Sequence, residues 1–567
     1  MNKNNGIALV SVLLVTFAIM IIGMGTLMLT NSNLMVSQNL VSHSVARTNA
    51  EAGIDAVIVA LQNEVAATGR LPASMPQPSV LLPGGGTVDY RLTREPVWDG
   101  NIALIEVEGL GPRNARYMSE AVIAFTSDGV NSGVRPFTGV VQACDYVDLR
   151  GSGQIDSFDS RTGSYDAGSP GRSAHVQLLG SDGLAELRGN APIYGNVYST
   201  GTFLATGSSA VHGDIHATGD ISMTASTNYA GNVITAGRLE ISNTARIAGS
   251  VSANGDIRIT NGATINGNAT AGGDITFTNT GARVRQNALA GGTVSYTHNN
   301  HAIRHVEGVT REHGSPSPNA PVPPMDCDPI GLPSYVERFS GLPTDNATLT
   351  AGWPTTQFRI TPDNVSHYDD THNVKAWTVA SEFTPQQAHV FDDAFRSTVY
   401  KFNDVDFASN GRLEIAGGDV VMFVDGDFKI AGDAALTIAP DSSLTVFVTG
   451  TTELSGSFRM NDINVVNTEG VPAFAIFSSV QQDSLSGWQP KGVKLSGNGK
   501  LVATVYAPFT NVEFSGSGEI YGSVLGKGVS VTGNGRIHFD EALGDVEVGS
   551  GGEEVAGEAI VLLLSRR

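Results

Sequence analysis

The sequence predicts a mainly β protein in which a long N-terminal α-helix and a small antiparallel meander precede parallel, triangular β-helix regions of 18 residues per turn. Three observations carry this reading. Glycines recur at a fixed interval of 18, as Gly195, Gly213, Gly231, Gly249 and Gly267. Of 567 residues 67 are Gly and only 16% are charged, a turn-rich and strand-rich balance that leaves little room for long solvated helices. Finally, Ile7 to Leu29 contain no charge, a run long enough at ~1.5 Å per residue to cross a hydrocarbon core of ~30 Å.

The net charge of −21, from 34 Lys and Arg against 55 Asp and Glu, opposes nucleic acid or an anionic lipid surface as a general partner. Two cysteines, Cys144 and Cys327, exclude a four-thiolate metal site and a dense disulfide framework.

The apolar run is too long for a cleaved secretory signal, and Thr30-Asn31-Ser32 offers no small-x-small cleavage site. Lys3, the one charge before it, places the N-terminus in the cytoplasm and the remainder outside. Leu34, Leu40, Val41, Val45, Ile54, Val57, Ile58 and Leu61 continue an apolar stripe at helical spacing, and no proline intervenes before Pro72. One helix over 7–66 is expected, membrane-spanning in its first half. After a stretch rich in Pro and Gly, the runs Val88 to Leu92, Ile102 to Val107 and Arg116 to Phe125 read as a meander within 67–134.

A leader ending in Gly6, a helix opening Ile7-Ala8-Leu9-Val10, and Ala50-Glu51-Ala52-Gly53 near its end resemble the N-terminal module of PilX-type minor pilins, over about the first 125 residues. The resemblance implies that a prepilin peptidase cuts after Gly6 and methylates the new N-terminal Ile7. It also implies residence in the inner membrane before assembly, then on the pilus or cell surface, with an extracytoplasmic soluble part and other pilin or minor pilin subunits as partners through the helix. This chain departs from the pattern in its single leader Lys and in Ser11, where major pilins place a Glu that offsets a neighbouring subunit's amine in an apolar filament core. A subunit without that Glu fits a filament tip.

The repeat occupies 135–297. A second glycine series (Gly183, Gly201, Gly219, Gly237, Gly255, Gly273, Gly291) and a third of Gly189, Gly207, Ala225, Asn243, Asn261 and Asn279 complete a hexad, with corners expected at left-handed backbone angles. Between corners, apolar residues such as Ile221 and Met223, Leu239 and Ile241, Ile257 and Ile259, and Ile275 and Phe277 alternate inward as strands require. The pattern resembles the triangular β-helix of bactofilins, which polymerise as cytoskeletal filaments.

A second β-helix-like domain is expected over 401–545, where Gly-rich turns at 496–499, 515–518 and 532–535 recur at near-rung spacing. Its stretch from Val505 to Gly522, and His538-Phe539-Asp540-Glu541-Ala542-Leu543, resemble an uncharacterised C-terminal domain often found behind PilX-type N-termini. Residues 298–400 lose the period and read as an irregular insertion, and 546–567 as a flexible tail following the last domain; 1–6 is the leader.

For chemistry, Asp256 and Asp274 share a hexad place one rung apart, and Asp220 lies two rungs before Asp256. Such stacked carboxylates suit glycoside hydrolysis or a calcium ion, but a Gly-Asp corner is also ordinary turn chemistry. His298, His301, His305 and His313 lack partners at metal-ligand spacing and read as a solvated loop. No catalytic, cofactor or metal residue is nominated. Cys144 and Cys327 flank the coil and form a disulfide only if residues 296–327 run back along the rod; otherwise both are small buried side chains.

The function expected is that of a structural or adhesive subunit of a type IV pilus or related apparatus, initiating assembly or sitting at the tip, with a surface or glycan as ligand and no enzyme activity. The alternative is an exported, membrane-tethered β-helix enzyme acting on polysaccharide.

Overall fold

The computed structural model describes scattered positions between 42 and 60, residues 90–94, 98–99 and 102–126, then 134–548, and finally 560–566. Within 134–548 the stretches 182, 298–304, 344–346, 352–356, 370–375, 391–395, 468–469 and 486–490 lie outside the description. Two compact units result, one of residues 1–131 with 553–567 and one of residues 132–552.

In the smaller unit the sheet is built on Ile102–Leu110 and Arg116–Thr126, paired antiparallel, with Tyr90–Arg94 on the outer edge of the first. The C-terminal strand Ile560–Arg566 pairs antiparallel with the other edge, on Arg116–Thr126. The helical positions between 42 and 60 are amphipathic: Ala46, Ala50, Ile54 and Val57 are fully buried while Val45 is exposed. They meet the sheet at Gly109, where an added Cβ would stand 2.0 Å from the Ala46 carbonyl oxygen. Asn49 donates to the Leu110 carbonyl at 2.6 Å.

The expected fold class needs correction here. Among the described residues no helix is long and apolar enough to cross a membrane. The described helical stretch buries one small-residue face on a sheet and keeps polar residues opposite, which is the pattern of a globular packing helix. The apolar run 7–29, like Gly6 and Ile7, lies outside the described residues. The placement in the inner membrane and then on the pilus or cell surface, which depended on a spanning helix, has no support in the described structure and is withdrawn.

A second correction concerns the larger unit, where two β-helix regions were expected and one solenoid of about 15 turns is found. At ~4.8 Å per rung it is about 70 Å long. Among the described residues thirty of its strands form one sheet in which the chain order is broken once, and a four-stranded and a six-stranded sheet complete the coil. The chain enters mid-rod at Val141–Leu149 and coils outward through Leu184–Leu187, Thr202–Ala205, Ile221–Met223, Leu239–Ile241, Ile257–Ile259 and Ile275–Phe277. It then returns to the opposite end at Leu349–Ala351 and coils inward through Val405–Phe407, Phe428–Ile430, Thr452–Leu454 and Val493–Gly497. The long strands Lys500–Gly516 and Glu519–Val531 finish the inward half, and the latter pairs in parallel with Val141–Leu149. Entry and exit close on each other through the Val134 and Val548 backbones.

The return segment holds the two halves together. Asn319 exchanges hydrogen bonds with Asn254 and donates to the Thr235 carbonyl at 2.9 Å, Val322 pairs with the Thr218 hydroxyl, and the Met325 amide reaches the Leu179 carbonyl. Cys327 is then bridged to Cys144, with Cα atoms 5.8 Å apart. Asp328 accepts from the Tyr506 hydroxyl at 2.8 Å and caps the helix Leu332–Ser340, whose Tyr335 and Phe339 pack on Phe447.

Rungs are fastened at their corners. Asn196, Asp214, Asn232, Ser250, Asn268 and Asn287 each accept, through a side-chain oxygen, the backbone N–H of the equivalent residue one rung on. The repeating glycines serve close approach rather than left-handed angles: between 183 and 291 no described glycine has positive φ. A Cβ at Gly201 would lie 1.9 Å from the carbonyl oxygen of Gly183 below it. The left-handed corners fall to Asn243 and Asn261, at φ 59° and 55°.

Three outcomes test this architecture. Ile257 is fully buried between Leu239 and Ile275, so Ile257→Asp should cost several kcal/mol of stability through desolvation. Asn261→Val should cost about 1–3 kcal/mol and Asn261→Gly little, since only the first strains a left-handed position; thermal melts that rank all three alike would contradict the corner assignment. Thiol labelling of the denatured, unreduced chain should find neither cysteine reactive, and Cys327→Ser should lower stability by up to about 4–5 kcal/mol, the entropy of closing so long a loop.

The backbone amide of Thr293, then its hydroxyl, hold the Asp274 carboxyl below its ordinary value. A depressed carboxylate contributes stability that is complete above its unfolded value of about 4 and is lost as pH falls through the folded value. Asp274→Asn keeps the acceptor and removes the titration, so its melting temperature should fall less than the wild type's below about pH 4.

Candidate functional site

The residues that invited a chemical reading are distributed along the rod. Asp220, Asp256 and Asp274 are corner fasteners: Oδ1 of each accepts the backbone N–H of Arg238, Asp274 and Thr293 respectively, at 2.7–2.9 Å. A carboxylate committed to the next rung's amide is doing the work that Asn232 and Asn268 do at the parallel corner, which explains why Asp and Asn interchange there.

The histidines separate likewise. His305 is buried at the outer end of the solenoid, its Nδ1 2.9 Å from the Ala282 carbonyl and its ring against Phe277 and Tyr296. His313 is exposed with φ 53° on the return segment, and His298 and His301 lie outside the described residues. Among the described residues no group of three His, Cys, Asp or Glu side chains could hold a metal ion. The outward Ser and Thr of one face are in part covered, because Ser252 donates to Asn319 and Thr218 pairs with Val322.

The polar chemistry gathers instead at the seam where the two halves meet. His538, from the last inward rung, and Asp156, from the first outward one, are fully buried, with His538 Nδ1 2.5 Å from Asp156 Oδ1. The other Asp156 oxygen accepts from Gln154 at 2.6 Å and from the Tyr165 hydroxyl at 2.8 Å. Asp540 accepts the amides of Ser160 and Ala542, and burial raises its carboxyl above the ordinary value. Ser157 donates to Glu541 at 2.8 Å. Burial, and then Asp156, raise the Tyr165 phenol.

The bonds His538–Asp156, Ser160–Asp540 and Ser157–Glu541 join residues 380–384 positions apart, so the sequence does not place them together. One half of the cluster was visible as a signature, His538-Phe539-Asp540, but its partners come from the strand Ile155–Phe158 and the loop after it. The dyad is closed off: the rings of Tyr165 and Tyr521 lie 4.0 and 4.7 Å from the imidazole, and His538 Nε2 is buried without a partner.

Set against known proteins, residues 363–546 match a family described as a domain of unknown function, DUF7305. Residues 179–270 match Bactofilin, described as polymer-forming cytoskeletal. No PilX-type family matches, and no curated protein does. Among solved structures, the competence-associated pilin ComZ from Thermus thermophilus is 12% identical over 93% of this chain and 97% of its own, at a TM-score of 0.15. An ice binding protein from an Antarctic bacterium, Flavobacteriaceae, is 9% identical over 73% of this chain and 99% of its own, at a TM-score of 0.11. Neither structural likeness is close enough to carry an argument. What the chain contains is a bactofilin-like solenoid segment continuous with a domain of the DUF7305 type.

Proposed function

We propose that this chain is a structural subunit of a pilus-type or related filament apparatus, for which the solenoid supplies a stiff, adhesive body. The observation that carries the structural part is the unbroken sheet through about 15 turns, fastened at its corners and strapped along its side. The order of the chain along it favours a scaffold over a machine with moving parts: the chain starts and finishes at the middle of the rod, and the strap, the disulfide and the seam tie the halves into one body. The match of 179–270 to a polymer-forming family supports a role in assembly. The finer reading, a minor-pilin-like subunit that initiates assembly or sits at the tip, rests on the resemblance of about the first 125 residues to PilX-type minor pilins, with Gly6 and Ile7 as the processing pair.

Deletion of the gene in its own host, with counting of filaments by electron microscopy and immunodetection of the chain in sheared filaments, tests the reading. Filament number should fall by about tenfold or more on deletion, and the protein should co-purify with filaments at far below one copy per major subunit. Unchanged filament number with no protein in the sheared fraction would overturn it.

A further inference from the structure

The dyad at the seam stands behind a cleft of about 490 Å³, inside the ~300–1,000 Å³ range of small-ligand sites. Part of its lining is aromatic. Phe158, Tyr165 and Tyr521 meet edge to face, with centroids 5.7–5.9 Å apart. The rest is polar and includes Asp462, Asn464 and Lys500. Lys500 pairs with Asp462, whose side chain is 88% exposed, and its ammonium lies 4.6 Å from the centre of the Tyr521 ring.

This aromatic wall is built from behind. The Tyr165 hydroxyl is tied to Asp156, its ring lies over His538, and the Tyr521 ring lies against the same imidazole. The register puts Tyr521 beside His538 on the neighbouring rung, and well-packed apolar groups stabilise a core as well as a buried polar pair does. Two fully buried polar side chains in that position therefore add little as glue. They do fix the tyrosine at the rim, as a supporting shell fixes the contact groups of a binding site.

The chemistry of the cleft selects a ligand class. A ligand with an apolar C–H face fits the ring wall, and one whose edge both donates and accepts hydrogen bonds fits a carboxylate, an amide and an ammonium set side by side. The one lysine is already neutralised by Asp462 and the whole chain carries −21, so an anionic ligand is disfavoured. We propose that this cleft binds a saccharide, with a pyranose face on the Tyr165 ring and its hydroxyls on Asp462, Asn464 and Lys500. The site stands independently of how the rod is assembled.

Isothermal titration of the full-length protein with chitotetraose, cellotetraose, maltotetraose and mannotetraose, and with tetra-alanine as a peptide control, tests this. At least one saccharide should bind, and Tyr165→Ala should weaken it by about tenfold or more, the scale of a lost aromatic anchor. Asp462→Ala alters an exposed side chain and leaves the fold intact, so it separates lost binding from lost folding; it should weaken the same saccharide by about threefold or more. Binding of none of the four, binding of tetra-alanine instead, or an affinity unchanged by Asp462→Ala and Tyr165→Ala would each overturn the proposal.

Discussion

Backbone hydrogen bonding in constant register from one rung to the next is the constraint on which the rest of this molecule depends. Every strand must lie in register over its predecessor, so a change in rung length has to be made by neighbouring strands in step while the corners stay fastened. The side-chain fasteners show how. In the outward half Asp256 takes the amide of a residue 18 positions on, and in the inward half Asp427 takes one 24 positions on, with the same geometry. Six extra residues are accommodated without disturbing the stack, because the strands of the inward half lengthen in step: Asp419–Val424 lies on Ser443–Val448 over six residues and Arg412–Ile415 on Ala435–Ile438 over four, against two- and three-residue pairs in the outward half.

The same requirement explains the path of the chain. A parallel stack presents an unpaired edge at each end, which is a hazard that proteins cover or cap. Here the first outward rung has no bare lower edge, because Glu519–Val531 lies directly beneath it. The return segment that makes this possible crosses rung after rung and takes up polar groups on the way, including the Thr235 carbonyl, the Thr218 hydroxyl and the Leu179 carbonyl. Its Pro-rich composition suits a strand-like strap that has few amides of its own to satisfy.

What could be read in the sequence follows from what repeats. The 18-residue coil was legible because each rung states its pattern again, with Ile221, Leu239, Ile257 and Ile275 in one inward row. The role of its glycines was not, since a hexad of Gly and Asn looks alike whether φ or crowding selects it, and only the stacked Gly183 and Gly201 distinguish the two. In the inward half the near-rung spacing of Gly-rich turns was visible, yet nothing in a linear pattern says that residue 531 lies on residue 149. Asp156 and His538 were invisible for the same reason. The N-terminal helix was inferred from an uncharged run and an apolar stripe at helical spacing; the described part buries that stripe on the sheet at Gly109, and among the described residues no helix is long and apolar enough to span a membrane.

The seam has a consequence for how the protein is made. Asp156 and His538 are 382 residues apart, and the strand that covers the first outward rung is synthesised long after it. At about 5–20 residues per second, the lower edge of that rung stands open for roughly 20–80 s while the remainder is synthesised. The outward coils can stack upward as they emerge, but they do so above an uncovered β-edge and an unpaired carboxylate. Whatever protects a nascent chain over that interval is as much a requirement of this topology as any contact in the finished rod.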